Sequence, residues 1–77
     1  MPTIIIKNGY RFFFFSKEGN EPMHIHIEKG EHEAKYWLEP ISLASNHGFK
    51  SRELNEIKNI IIHNSFLIME RWNEYFK

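Results

Sequence analysis

Residues 21–38 constrain the chain more than any other stretch. Met23, Ile25 and Ile27 alternate with His24, His26 and Glu28, a period of two that fits a strand buried on one face and does not fit a helix. After Lys29-Gly30 a second alternation runs from Glu31 to Leu38. Taking Lys29-Gly30 as a two-residue hairpin loop pairs Glu28 with Glu31, His26 with Glu33 and His24 with Lys35. One face then carries His24, His26, Glu33, Lys35 and Trp37. The other carries Met23, Ile25, Ile27, Ala34, Tyr36 and Leu38, an apolar surface that something must cover.

The flanking segments supply the cover. Thr3 to Lys7 is a β-branched run, and Asn8-Gly9 is the strongest two-residue hairpin signal in the chain. Pairing Lys7 with Tyr10 sets Ile6 opposite Arg11, Ile5 opposite Phe12 and Ile4 opposite Phe13. Four consecutive Phe, 12 to 15, make both faces of this second strand apolar and place it inside the sheet. An even number of residues in the polar loop around 16–20 brings Phe13 near His24 and Arg11 near His26 on one face. Glu39-Pro40 ends the fourth strand. Residues 42–47 read as a short helix, capped by Ser42 and stopped by Gly48. From a cap at Ser51 a longer helix without Gly or Pro carries Leu54, Ile57, Ile61, Ile68, Trp72 and Tyr75 as one apolar stripe.

The expected architecture is therefore α+β: a four-stranded antiparallel β-meander with one short and one long C-terminal helix packed on one face. It forms a single domain over 1–77, with strands at about 3–7, 10–16, 22–28 and 31–38 and helices at about 42–47 and 52–75. Ile4, Ile6, Phe13 and Phe15 are left on the uncovered face, which predicts burial there by a homodimer mate or another protein.

A chain of 77 residues is near the size at which the core is barely sufficient, and a 42% hydrophobic, 16% aromatic composition makes up the deficit. With no cysteine there are neither disulfides nor thiolate metal sites. No apolar run reaches the roughly 18 residues of a membrane span, and Met1-Pro2-Thr3 enters a strand without a signal-peptide pattern, so a cytoplasmic location and no membrane partner are expected. Ten Lys and Arg balance ten Asp and Glu, so any contact with nucleic acid has to be local.

His24 and His26 are the chief chemical candidates, because imidazoles two residues apart on a strand sit about 6–7 Å apart on one face. Three roles suit that spacing. As an acid–base pair beside Lys35 and Arg11 they can move protons while the cations stabilise a pentavalent phosphate. With Glu33 they can make a three-ligand metal site. As half-exposed strand residues opposite Glu and Lys they need do no chemistry. Trp37 either stacks a base or covers the sheet end. His32, His47 and His63 share no spacing and are read as structural or surface residues. The chain has no P-loop, nucleophile elbow, zinc finger or helical zinc motif, and the helix pair Ser42 to Asn46 and Ser51 onward lacks the basic recognition face of a DNA-binding helix-turn-helix.

The ordered set Pro2-Thr3-Ile4, Arg11-Phe12-Phe13-Phe14, Glu21 to His26, Ala34 to Leu38, and Leu43 to Phe49 with Glu53-Leu54 resembles the small bacterial family catalogued as domain of unknown function 4160. Tyr36 stands where that family's pattern favours Phe, and Met23 where it favours a small residue or Pro. Members commonly sit beside a gene for a second small protein, and such pairs are regarded as candidate type II toxin–antitoxin modules. The resemblance implies the toxin role for this chain and an antitoxin-like protein encoded nearby as its partner. Joined to the residues, it gives the expectation of a metal-independent ribonuclease acting on an RNA target without a cofactor. His24 and His26 would be acid and base, with Lys35 and Arg11 on phosphate and Trp37 against a base. The alternative is a non-catalytic protein-binding module, or a metal-binding protein, acting through a partner complex.

Overall fold

The computed structural model describes residues 3–16 and 19–76; Met1, Pro2, Lys77, and Lys17 and Glu18 of the loop expected around 16–20 lie outside the described residues. Five strands come first: β1 (Thr3–Lys7), β2 (Tyr10–Phe13), β3 (His24–Lys29), β4 (His32–Leu38) and β5 (Ile41–His47). Two helices follow, α1 (Ser51–His63) and α2 (Ser65–Tyr75). The strands pair antiparallel in sequence order, a meander.

Turn chemistry sets the register. Asn8 and Gly9 both take positive φ, 54° and 83°, as a type I′ hairpin requires, and Lys7↔Tyr10, Ile6↔Arg11 and Ile5↔Phe12 pair as the sequence predicts. A bulge at Ile4 then sets Thr3, not Ile4, opposite Phe13. The next hairpin turns at Gly30-Glu31 instead of Lys29-Gly30. Gly30, at φ 62°, holds the first central position, where a type II′ turn needs glycine. Every β3–β4 pair moves by two residues, so His26 faces Lys35 and His24 faces Trp37. A two-residue shift keeps each side chain on its expected face.

The expected four-stranded sheet has five strands, because residues 42–47 form part of β5 and not a helix. Glu39-Pro40, joined by a cis peptide bond, is the two-residue turn between β4 and β5, and Leu38 pairs with Ile41 directly after it. Proline thus occupies the turn and leaves the edge strand beyond it intact. Asn46 clamps the exit: its Nδ2 donates to the Phe49 carbonyl (2.9 Å) and its Oδ1 accepts from the Phe49 N–H (3.1 Å). Gly48 has φ 108°, and a Cβ there would collide with the His32 ring.

The helix expected over 52–75 is two. Asn64 (φ −121°, ψ 15°) breaks it, with its Nδ2 donating to the Ile60 carbonyl at 2.8 Å, an amide competing with the helical backbone for an acceptor. Ser51 is the first helical residue, not the cap. Lys50 precedes it and donates its N–H to Glu53 Oε1 at 2.9 Å. Phe12, Phe14, Ile25, Ile27, Tyr36 and Leu38 from the sheet and its edge meet Ile57, Ile60, Ile61, Ile68 and Trp72 from the helices. Each such side chain contributes about 1.5–3 kcal/mol on burial. Tyr75, expected on the stripe, is 43% exposed. Among the described residues no helix is long and apolar enough to cross a membrane.

Burial separates two adjacent isoleucines of α1. Ile61 is fully buried and Ile62 is 47% exposed. Ile61→Ala should cost about 2–5 kcal/mol in denaturant unfolding, and Ile62→Ala should stay within about 0.5 kcal/mol of wild type.

Candidate functional site

The face of the sheet opposite the helical core carries Arg11 and Phe13 from β2, His26 from β3, and Lys35 and Trp37 from β4. Its side chains interleave charge and ring. The Arg11 guanidinium lies 4.4 Å from the Phe13 ring centroid, while its Nη1 donates to Glu28 Oε1 at 2.6 Å and its Nε to Thr3 Oγ1 at 2.8 Å. The His26 ring stacks on Phe13 (5.6 Å, 27°) and meets Phe15 edge-on (4.4 Å). Lys35 Nζ lies 4.5 Å from the Trp37 ring centroid and donates to Glu21 Oε1 at 2.8 Å. Partly exposed ion pairs of this kind contribute about 0.2–1 kcal/mol each, so they orient side chains more than they stabilise the fold.

His24 stands apart because it is fully buried. Its Nδ1 lies 2.9 Å from the Pro22 carbonyl oxygen, which only accepts, so Nδ1 carries a proton. The Glu21 carboxylate is 3.8 Å from the same nitrogen. His26, Trp37 and Trp72 surround the ring, with centroids at 5.1, 5.7 and 4.9 Å. Trp72 also meets Phe14 edge-on at 5.2 Å, so α2 closes the end of the sheet where β3 begins.

Of the residues expected to form a site, Arg11, His26, Lys35 and Trp37 share the open face, in a different arrangement. Arg11 pairs with Glu28, two positions beyond the expected place beside His26, because β2 and β3 are joined by a longer excursion ending at Met23. His24 does not project from the open face, because Trp72 covers it. The three-ligand metal arrangement is not assembled: Glu33 sits opposite Glu28 and His47, and among the described residues no group of three or more His, Asp or Glu is gathered closely enough to hold a metal ion. Nor does the expected patch of Ile4, Ile6, Phe13 and Phe15 lie open. Phe13 is 3% exposed beneath Arg11, Phe15 and His26, Ile4 packs on the core, and Ile6 alone of the four is widely exposed. Glu21, Glu28 and Trp72 are the partners that sequence reasoning missed. Glu21 lies in a segment without regular structure, and the helical stripe placed Trp72 on the opposite face.

A second polar arrangement lies at the far end of β3. Tyr10 is buried to 1% exposure, and its hydroxyl donates to Glu56 Oε1 at 2.7 Å. Asn8 Nδ2 donates to the other oxygen of the same carboxylate at 3.2 Å. Burial first, and the Glu56 carboxylate next, push the Tyr10 hydroxyl up to about 12. Burial also raises Tyr36, whose hydroxyl donates to the Leu54 carbonyl at 2.9 Å.

The class defined by these features is a small α+β protein, an antiparallel meander closed by a C-terminal helix pair. The family model for the domain of unknown function DUF4160 matches residues 9–73, and the chain belongs to that family. No curated protein and no solved structure matches the chain.

The Tyr10 geometry fixes the alkaline limit of the fold. Folded Tyr10 holds its proton to about pH 12, while an ordinary tyrosine releases it near 10.0, so its contribution is whole below pH 10 and is lost as the pH rises to 12. Unfolding free energy measured across that window should fall less steeply in Tyr10→Phe than in wild type, the remaining slope including Tyr36.

Proposed function

We propose that this protein works by protein–protein contact, as the toxin component of a bacterial two-gene module, and not as a ribonuclease. The observation that carries this reading is the state of His24. A general acid or base must reach the proton it transfers, and the His24 ring is fully buried with Nδ1 engaged by the Pro22 carbonyl. Arg11 and Lys35, which a phosphate would need, already hold Glu28 and Glu21. Exposed apolar surface lies elsewhere. Phe66 is 78% exposed and Ile62 47% exposed, four residues apart across the junction of α1 and α2. A large aromatic in that state suits an interface anchor. The partner this reading favours is the antitoxin-like protein encoded beside members of the family.

The test co-expresses the chain with its neighbouring gene product and measures both binding and growth. Phe66→Asp should weaken partner binding by at least about tenfold, the loss expected for an interface anchor. His26→Gln, at a half-buried position, should leave binding and the growth effect unchanged. Cleavage of RNA by the purified chain in EDTA, abolished by His26→Gln, would contradict the reading and restore the acid–base one.

A further inference from the structure

At the other end of β3 from His24, the two hairpins and α1 border an open cleft of about 700 Å³. That volume falls in the roughly 300–1,000 Å³ range of small-molecule sites. Both walls carry charged and amide side chains, beside the Tyr10 ring and Ile60. From the sheet side come Lys7 and Lys29, the latter lying 4.8 Å over the Tyr10 ring. From α1 come Arg52, Asn55, Asn59 and His63, spaced by three and four residues and therefore on one helical face. A gap between a helix and a sheet normally carries apolar side chains, so the charged and amide groups gathered here point to an occupant with a hydrophilic part.

Charge narrows the class. Lys7, Lys29 and Arg52 line the cleft, and none of them forms an ion pair with a described carboxylate. The two carboxylates of the lining are turned to other donors, Glu56 to Tyr10 and Asn8, and Glu53 to the Lys50 N–H. His63 turns Nδ1 to the Asn59 carbonyl at 2.7 Å. Three cations against two carboxylates leave the lining one positive charge in excess, in a chain with no net charge. Tyr10 anchors it, because its hydroxyl fixes Glu56 while its ring supports Lys29.

We propose that this cleft binds a phosphomonoester, a small ligand of mononucleotide size whose phosphate is held by Lys7, Lys29 and Arg52 and whose polar body meets the amides of Asn55 and Asn59. This proposal does not rest on the protein-binding reading.

The experiment titrates the full chain with adenosine monophosphate, inorganic phosphate and adenosine, following backbone and asparagine side-chain amides by NMR. Adenosine monophosphate should shift resonances of Lys7, Lys29, Arg52 and Asn55, phosphate should shift the same set more weakly, and adenosine should shift none. The Lys7→Ala, Arg52→Ala double variant changes two exposed side chains, so its spectrum should otherwise be native. It should bind adenosine monophosphate at least about tenfold more weakly, as expected for lost hydrogen bonds to a charged group. Adenosine binding as well as its monophosphate would overturn the assignment. So would phosphate binding as tightly as the ester, or a double variant binding like the wild type.

Discussion

A fully buried imidazole must have its polar atoms satisfied from within the protein, and much of this structure is arranged around that requirement at His24. The Pro22 carbonyl accepts from Nδ1, and Glu21 stands close by. Glu21 is in turn held by Lys35, and Lys35 lies over Trp37, which borders His24 on the neighbouring strand. Trp72 of α2 closes the remaining side. Among the described residues no buried side-chain nitrogen or oxygen lacks a partner. One histidine thereby ties the loop before β3, strand β4 and the last helix into a single unit.

The two ends of the sheet differ accordingly. Where β3 begins, rings and ion pairs are closed upon one another. Where it ends, Lys7, Lys29 and Arg52 line an open cleft and form no ion pair among the described residues. In a chain whose formal charges sum to zero, the cleft lining holds one cation more than its two carboxylates, Glu53 and Glu56. The exposed aromatic Phe66 lies just past the helix junction, where His63 and Asn64 border the cleft.

Period-two alternation made the faces of β3 and β4 legible from sequence, since Ile25 and Ile27 are buried under the helices and His26 and Lys35 lie opposite. Asn8-Gly9 likewise gave the first hairpin its register. The second hairpin was harder to read: Lys29-Gly30 and Gly30-Glu31 both contain the glycine, and only the turn type decides between them. β5 was hidden because Pro40 resembles a terminator and Ser42, Asn46 and Gly48 resemble helix punctuation. The break at Asn64 was hidden because asparagine is tolerated in helices and interrupts one only when its amide captures a carbonyl. At the candidate site, alternation fixes the face of a side chain but not its cover. Trp72 comes from an element distant in sequence, and its placement over His24 is a tertiary event with no local trace.

Carbethoxylation of the native protein with diethyl pyrocarbonate, mapped by mass spectrometry, tests most directly whether His24 is sealed in this network. His32, His47 and His63 are exposed and His24 is fully buried. Those three should be modified rapidly, with His24 reacting only once denaturant unfolds the chain. Modification of His24 at the rate of His47 in the folded protein would contradict that sealing and reopen the sheet face as a reactive site.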